Sequence, residues 1–334
     1  MNILLLVFPI PLLTVLFAQP IYGFESLGAH DVPHFRTLPC PNPEDIAPCI
    51  CTYTADKGVM DMDCMNISDE EELYQVFHSL IPIPTFGKLS LPSDRLTTLT
   101  DEVFRVATFE DVIINCSNDC EPTLTTVGPN TFIKSVSTLM SLTMYPTNIS
   151  EFPFDTIQEY VNINAFILND SPLSIFPTIS SETLLTLVLI NDTFREIPAH
   201  ILDELPNLKQ LELGWNSIDS LGKDVFASLP DIRQIVMVNG GLRHLHSRQF
   251  AVTSPNLYVI VLESNLIETV DPDTFIGLQS STIQLVGNKL TLLPEATWKP
   301  LLDSGVILQL AGNDLTCGCD VAWIVLEPTY HPLV

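Results

Sequence analysis

The chain repeats one apolar pattern at intervals of 21 to 30 residues. Residues 208–221 and 257–270 both read LxxLxLxxNxLxxL, and each segment is followed five positions later by a phenylalanine. The frame occurs ten times, with first positions at Phe86, Phe109, Leu139, Ile163, Leu184, Leu208, Ile232, Leu257, Ser280 and Gly305. A fixed period of this length favours stacked units, each burying one face against the next, over one or two ordinary globular domains.

The spacing inside the frame predicts a short strand in every unit. Apolar residues at the fourth and sixth positions point inward, whereas the fifth and seventh positions face outward. The ninth-position asparagine can bond backbone groups of neighbouring units. It is present at Asn216, Asn265, Asn288 and Asn313, and is replaced by Gly240, Thr147, Ser171, Asp94 and Asp192. Aromatic residues beyond the frame are expected to stack on the far side, at Phe104, Phe132, Phe226, Phe250, Phe275 and Trp298.

This pattern resembles the leucine-rich repeat family over residues 86–315. The resemblance implies an α/β solenoid, a horseshoe whose concave side is a parallel sheet. We expect ten repeats over 86–315, a cysteine-rich N-terminal cap over 40–85 and a partial C-terminal cap over 316–334.

The first residues predict a cleaved secretory signal, residues 1–23, followed by an N-terminal segment, residues 24–39. Residues 4–17 form an apolar run that is too short to span a bilayer, and the small residues Ala18 and Gly23 follow it. Neither a later membrane span nor a lipid-anchor tail is expected. We therefore expect a secreted, extracellular protein with oxidised cysteines.

The charge limits the possible partners. With 14 Lys and Arg against 40 Asp and Glu, the net charge of −26 repels phosphate backbones and acidic membranes. We therefore expect an extracellular protein partner, no nucleic acid and no membrane insertion.

Four cysteines are concentrated in residues 40–64, at Cys40, Cys49, Cys51 and Cys64. A zinc site normally pairs cysteines two to four residues apart, whereas here one residue separates Cys49 from Cys51 and no histidine is near. Disulfides are therefore favoured; of the three connectivities, spacing disfavours only the one that pairs Cys49 with Cys51. Resemblance to the cap that precedes extracellular leucine-rich repeats implies Cys40–Cys51 and Cys49–Cys64, with residues 60–64 as a strand against the first repeat.

The remaining cysteines form two pairs. Cys116 and Cys120 lie in a stretch of surplus residues between Ile114 and Leu124, where a disulfide across a bulge is expected, with a recognition loop as the alternative. Cys317 and Cys319 resemble the start of a C-terminal cap whose other two cysteines do not follow. A truncated chain, an intermolecular bridge and an open end used for assembly are the alternatives.

No pattern predicts catalysis. The chain has no G-x-S-x-G, H-E-x-x-H, phosphate-binding loop or dinucleotide fingerprint, so we expect no catalytic residue, cofactor or metal. His244 and His246 flank a core leucine and are expected to be surface histidines. Residues 69–72 predict a helix start, with Ser68 as its N-cap.

The cap segments narrow the family. Residues 40–64, the following MNISDEEELYQVF and the closing LTCGCDVAWIV resemble arthropod secreted proteins similar to the non-catalytic subunit of Oplophorus-luciferin 2-monooxygenase. In that family the repeat subunit accompanies a separate small catalytic subunit and has no luciferase activity itself. The resemblance implies a non-enzymatic accessory or scaffold subunit. The alternative is an extracellular recognition or adhesion module of receptor or immune type, as a fragment of a longer chain.

Five N-x-S/T sequences predict glycosylation, at Asn66, Asn115, Asn148, Asn169 and Asn191. None lies beyond residue 191. Sugars on these residues would shield the N-terminal half and direct binding towards residues 209–312.

Outward strand positions predict where a partner binds. Several are apolar, including Ile113, Ile167, Val188 and Val286, although valine and isoleucine favour strands in any case. Because they fall on neighbouring units, we expect one exposed patch, which usually marks an interaction site. Its expected polar rim consists of Glu212, Arg233, Glu263 and Gln284. The predicted partner-binding residues are Tyr145, Ile190, Glu212, Trp215, Arg233, Val236, Val238, Val261 and Glu263.

Overall fold

The computed structural model describes residues 40–56, 58–116, 120–316, 318 and 321–334. The predicted signal and N-terminal segment, and also Cys317 and Cys319, lie outside the described residues.

One long sheet organises the chain. Its twelve strands lie in the order β1 (Ile50–Thr54), β2 (Val59–Asp63), β3 (Thr85–Pro92), β5 (Thr108–Asn115), β7 (Ser141–Tyr145), β8 (Ala165–Asn169), β9 (Thr186–Ile190), β11 (Gln210–Glu212), β13 (Gln234–Val236), β15 (Val259–Val261), β17 (Thr282–Gln284) and β18 (Ile307–Gln309). Within this sheet β1 and β2 are antiparallel, and every later pair is parallel.

The strand register follows the repeat frame. The fourth positions of all ten units lie side by side, at Leu89, Val112, Leu142, Phe166, Leu187, Leu211, Ile235, Ile260, Ile283 and Leu308. Each is at most 2% exposed, so these side chains form the inner layer of the core. We number the units coils one to ten from their first positions, so coil six begins at Leu208. The structure is a leucine-rich repeat solenoid.

Three pairs of two-residue strands lie on one flank, after the ninth position. They are β4 (Thr98–Leu99) with β6 (Thr126–Val127), β10 (Glu196–Ile197) with β12 (Ser220–Leu221), and β14 (His244–Leu245) with β16 (Thr269–Val270).

The side of the solenoid away from the main sheet consists mainly of turns. It includes 3-10 segments Ile133–Ser135 and Phe154–Glu159 and one helix, α3 (Glu295–Asp303). The expected aromatic stack is present in two parts. Phe104 packs on Phe132 with ring centroids 5.3 Å apart, and a second run comprises Phe226, Phe250, Phe275 and Trp298. Between the two runs, the aliphatic residues Ile157 and Leu202 occupy the equivalent frame positions of coils three and five.

The ninth-position asparagines join adjacent coils. The Nδ2 group of Asn216 donates to the carbonyls of Leu189 and Leu213, at 2.8 and 3.0 Å. Its Oδ1 accepts from the N–H of Asp192 at 2.8 Å. Asn265 repeats this arrangement. Asn288 and Asn313 donate to the equivalent carbonyls, but their Oδ1 atoms accept from the N–H groups of Ile267 and Leu290, two residues beyond the ninth position. The asparagine ladder therefore satisfies backbone groups that the core would otherwise leave unpaired.

Asp192 occupies the ladder position without an amide group. Its Oδ1 accepts from the N–H of Ser171 at 3.2 Å, while its buried Oδ2 has no partner. Burial raises the pKa of Asp192 to about 8; the Ser171 bond acts against that shift and the nearby Asp170 charge adds to it. A protonated Oδ2 is a donor, as the asparagine Nδ2 is, so the neutral acid suits this position.

The N-terminal cap consists of β1, β2 and helices α1 (Pro43–Ile46) and α2 (Glu70–His78). Disulfides join Cys40 to Cys51 and Cys49 to Cys64, the pairing that the resemblance implies. Strand β2 lies parallel to β3, with Met62 opposite Leu89, so the cap continues the solenoid register. A third disulfide joins Cys116 to Cys120.

The predicted N-cap of α2 is wrong by one residue. Asp69 caps the helix, because its carboxylate accepts from the N–H of Glu72 at 2.9 Å. Ser68 lies one position earlier, where its own N–H donates to the Glu72 carboxylate at 2.7 Å. Aspartate and serine are both good caps, so residue type alone did not distinguish them.

The C-terminal segment packs on the last coils through α4 (Ala322–Val325) and the 3-10 segment Pro328–Leu333. The Trp323 indole N–H donates to the carbonyl of Leu293 at 3.0 Å. No helix formed by the described residues combines the length and apolar character that crossing a membrane requires.

Candidate protein-binding face

The strand register divides the apolar patch expected on the concave sheet. Along the fifth positions the order is Ile113, Thr143, Ile167, Val188, Glu212, Val236, Val261 and Gln284. Thr143 and Glu212 interrupt the apolar residues, so one continuous patch is not formed. Glu212 therefore lies inside the row, and not on the rim where the sequence analysis placed it.

Burial reduces the patch further. Val188 is only 7% exposed, between Ile167 and Glu212 on the adjacent strands. Val236 and Val261 are half-buried and directly paired, so they offer adjacent apolar surface.

The seventh positions border the end of each strand. Here Tyr145 is 39% exposed on coil three, whereas Ile190 is on coil five, with Asn169 of coil four between them. The structure therefore does not bring Tyr145 together with the residues around Trp215. It does bring Ile190, Gly214 and Val238 onto successive coils, since the Asn191 N–H bonds the Gly214 carbonyl and the Trp215 N–H bonds the Val238 carbonyl.

Trp215 is 47% exposed and has a left-handed backbone, with φ at 56°. It occupies the eighth position, where the N–H of one coil bonds the seventh-position carbonyl of the next. The same positive φ recurs at the eighth position of other coils, at Asp170, Asn191, Asn239, Ser264, Gly287 and Gly312. Those are small residues, most of them types that tolerate this conformation, whereas a bulky side chain there is strained by about 1–2 kcal/mol.

Two neighbours of this site were missed by the sequence analysis. A Cβ on Gly214 would lie 2.9 Å from Cγ2 of Val238, so glycine lets Val238 lean across the strand end. Tyr258 directly precedes β15, at the end of the strands opposite to Trp215, and is 56% exposed. Its hydroxyl donates to Oε1 of Gln234 at 2.9 Å. An aromatic residue at the second position of the frame was the signal that could have identified it.

The predicted charged residues surround this surface unevenly. Arg233 is exposed, and its carbonyl accepts from the Tyr258 N–H at 3.0 Å, which places it beside Tyr258. Glu263 is half-buried at the seventh position of coil eight. We call Trp215, Val236, Val238, Tyr258 and Val261 the Trp215 surface; Arg233, Glu212 and Glu263 are its charged neighbours.

The five glycosylation sequences fall near one edge of the sheet. In the register, Asn115 and Asn169 are at the seventh position, Asn66 and Asn191 at the eighth, and Asn148 at the tenth. Asn66, Asn148 and Asn191 are exposed, whereas Asn115 and Asn169 are half-buried and the Asn169 Oδ1 is enclosed. Trp215 is next to Asn191, which belongs to the last of the five glycosylation sequences.

Nothing in this surface is arranged for catalysis. Within the described ranges, no group of three or more His, Cys, Asp or Glu could hold a metal ion. The His244 and His246 rings are exposed and contact Thr269 and Asp271 on the next coil, at 2.8 and 3.2 Å.

Two comparisons with solved structures show the fold. A chain of the octameric complex of Latrophilin 3, Unc5D and FLRT2 aligns with TM-score 0.64 and 17% identity, covering 83% of this chain and 82% of that one. A leucine-rich repeat protein of Leptospira interrogans aligns with TM-score 0.52 and 20% identity, covering 78% and 67%.

Sequence comparison is more specific. No family model matches the chain. It is 30% identical over 114 residues to leucine-rich repeat and fibronectin type-III domain-containing protein 4 of Rattus norvegicus, which covers 32% of this chain and 16% of that protein. It is 30% identical over 296 residues to the Oplophorus-luciferin 2-monooxygenase non-catalytic subunit of Oplophorus gracilirostris, covering 88% of this chain and 81% of the relative. The chain is therefore a non-enzymatic leucine-rich repeat protein that belongs to the family of that non-catalytic subunit.

Proposed function

We propose that this chain is a secreted accessory subunit that binds a second extracellular protein through the Trp215 surface. The single observation that carries the proposal is Trp215 itself. A half-exposed indole occupies a left-handed position where adjacent coils have small residues. Strain of this kind indicates a hypothesis of function when the fold offers simpler residues for the same place.

The chemistry of the surface favours a protein as the partner. Exposed tryptophan and tyrosine supply large contact areas at low entropic cost and are enriched where proteins bind each other. Trp215 and Tyr258 lie at opposite ends of the strands, with Val236 and Val261 between them. A partner with an apolar patch of matching width would contact all four residues.

The charged residues near the Trp215 surface indicate what charge the partner should present. The outward strand positions of coils six to eight include only two charged residues, Glu212 and Glu263, in a chain of net charge −26. A complementary surface would therefore be apolar at its centre, with Lys or Arg facing these carboxylates. The strong negative charge elsewhere would accelerate encounter with a basic partner.

The family supports an accessory role. The relative from Oplophorus gracilirostris is named as a non-catalytic subunit of a monooxygenase, and a subunit requires another chain. We propose the same type of assembly here, without proposing light emission. Glycans at the exposed asparagines would coat the neighbouring edge from the cap to coil five and leave the Trp215-surface residues of coils seven and eight open.

Chemical cross-linking of the full chain in its native secretion tests the proposal. We expect one stoichiometric partner chain, cross-linked to peptides of coils six to eight. Cross-links confined to the turns opposite the sheet, or to the Cys116–Cys120 bulge, would move the site away from the Trp215 surface.

A further inference from the structure

The flank strands of the solenoid are interrupted between coils six and seven. On one side of the interruption, the N–H groups of Asp219 and Ser220 bond the carbonyl of Arg195. On the other side, the N–H groups of Glu268 and Thr269 bond the carbonyl of Arg243. The equivalent bonds, from Arg243 and His244 to the carbonyl of Asp219, are absent from this described part of the chain.

The side chain of Gln249 bridges coils six and seven beside these missing bonds. Gln249 is 8% exposed; its Oε1 accepts from the His246 N–H at 2.7 Å, and its Nε2 donates to the Leu221 carbonyl at 2.9 Å. In the neighbouring pair of coils a backbone bond joins the equivalent groups, since the Asp271 N–H donates to the Leu245 carbonyl. The Gln249 carboxamide therefore replaces one rung of the backbone ladder.

Other coils have a shorter residue at this place. Thr274 and Thr297 occupy the same frame position as Gln249, and their hydroxyls bond the Leu245 and Val270 carbonyls at 3.3 and 3.2 Å. Between coils seven and eight, where Thr274 is the bridge, β14 and β16 are paired. Between coils eight and nine, where Thr297 is the bridge, the N–H groups of Thr291 and Leu292, which the structure describes, do not bond the carbonyl of Glu268. What distinguishes coils six and seven is therefore the buried carboxamide of Gln249 beside the missing bonds.

We call the missing bonds to the Asp219 carbonyl the open rung. It faces a groove of about 290 Å³, far more than the roughly 30 Å³ that one water occupies. Asp219, Gly241, Arg243, His244 and Gln249 line it. A Cβ on Gly241 would lie 3.2 Å from the Ile218 carbonyl oxygen and 3.4 Å from Cβ of Asp219, so this glycine keeps side-chain atoms out of the groove.

The charges around the groove are paired. Arg195 contacts the Asp219 carboxylate, and Arg243 lies 3.4 Å from Glu268. A charged ligand would have to disrupt one of these pairs, whereas a neutral ligand would not. Among the described residues, the backbone groups without a bond at the groove are two donors, the N–H groups of Arg243 and His244, and one acceptor, the carbonyl of Asp219.

We propose that this groove binds a primary carboxamide, the side chain of a glutamine or asparagine on a partner polypeptide. The carboxamide oxygen accepts from the His244 N–H, and its NH₂ donates to the Asp219 carbonyl. The Gln249 carboxamide already makes these two kinds of bond nearby, since it accepts from the His246 N–H and donates to the Leu221 carbonyl. A bound carboxamide would make the equivalent pair of bonds at the open rung. The site is separate from the Trp215 surface and does not depend on it.

Amide NMR of the full, deuterated chain tests this assignment, with N-acetylglutamine N-methylamide as the probe. We expect the probe to shift the Arg243 and His244 amides and to slow their hydrogen exchange at least threefold. N-acetylglutamate N-methylamide lacks the NH₂ donor, and N-acetylalanine N-methylamide has only backbone amides. Neither should reproduce the effect. Equal shifts with the alanine compound would overturn the assignment to a side-chain carboxamide, and no shift with the glutamine compound would overturn the site.

Two variants complete the test. Gln249→Thr supplies the residue found in coil eight, whose flank strand pairs with that of coil seven. It should close the rung, protect the His244 amide at least tenfold and abolish the probe shifts. Gly241→Ala places a methyl group in the groove and should weaken the probe effect with the coils still apart. The proposal is wrong if the His244 amide of the unmodified chain is already as protected as that of Thr269, or if both folded variants retain the probe shifts.

Discussion

The backbone N–H of Trp215 donates a 2.7 Å hydrogen bond to the carbonyl of Val238 on the next coil. This bond belongs to a ladder that runs along the strand ends, and the positive φ of Trp215 is the backbone geometry shared by the eighth positions around it. The fold requires that geometry but not a tryptophan. The indole is therefore the part of the site that packing does not explain.

The ladder position of Asp192 predicts a pH dependence. The pKa of this carboxyl rises from 3.8 to about 8 on folding, so the folded chain holds a proton that the unfolded chain releases. The stabilisation is fully present below pH 3.8 and is lost as the pH rises towards 8, at up to about 1.4 kcal/mol per pH unit. Asp192→Asn should remove this slope and raise the free energy of unfolding at pH 7.

Urea unfolding between pH 4 and 9 measures the effect. The reverse change one coil later, Asn216→Asp, is the matched variant and should create the same loss of stability with rising pH. Parallel stability curves for Asp192→Asn and the unmodified chain would contradict the protonated ladder.

Glu70 connects the cap helix to the first coil. Its Oε1 accepts from the Thr97 hydroxyl and N–H and from the Thr98 N–H. Although burial acts to raise its pKa, these hydrogen bonds lower it from 4.5 to about 2. The stabilisation is therefore present above pH 4.5 and is lost as the pH falls through 2.

We expect Glu70→Gln to lower the free energy of unfolding by about 1 kcal/mol at pH 7, because solvent screens this partly exposed group. The difference from the unmodified chain should disappear near pH 2. Glu71→Gln is the control, since the Glu71 carboxylate accepts a hydrogen bond from Gln75 of its own helix. Equal losses in both variants would show that Glu70 does not hold the cap to the coil.

The N-terminal disulfides should act as a lid. Cys49 and Cys64 are buried beside the first coil, so replacing both by serine should cost about 2–5 kcal/mol and reduce secretion. Thermal melting and secreted yield measure this. A zinc cage would instead predict stoichiometric metal and sensitivity to chelators. Unchanged melting and normal secretion of the double variant would rule out this stabilising role of the disulfide.

Glycosylation should follow exposure. We expect sugars at Asn66, Asn148 and Asn191, with lower occupancy at the half-buried Asn115 and Asn169. Peptide mapping of the chain from eukaryotic cells, before and after glycosidase, measures each site. An unmodified intact mass would contradict the prediction.

The repeat frame made most of the fold predictable from sequence. Positions such as Leu211 and Ile235 are apolar because the core requires it, and their spacing alone determines which strands lie side by side. The binding face was less predictable, because outward residues obey no such rule. The frame identified Val236 and Val261, but Glu212 interrupted their row, and the interruption depends on the alignment of strands. The frame does not determine that the eighth position of coil six is a tryptophan. The bridge formed by Gln249 depends on the distance between coils, which the sequence of one coil does not encode.

Trp215→Gly tests the central claim most directly. Glycine is the residue at this position in coils nine and ten, and it avoids the new glycosylation sequence that asparagine would form with Ser217. The measurement is the affinity of the variant for the cross-linked partner, purified, together with its free energy of unfolding. Tyr53→Thr is the control, since Tyr53 is a similarly exposed aromatic on the cap strand, 39% exposed. We predict at least a tenfold loss of affinity for Trp215→Gly, stability within about 1 kcal/mol of the unmodified chain, and no loss for the control. Unchanged affinity in a folded Trp215→Gly variant would contradict the account.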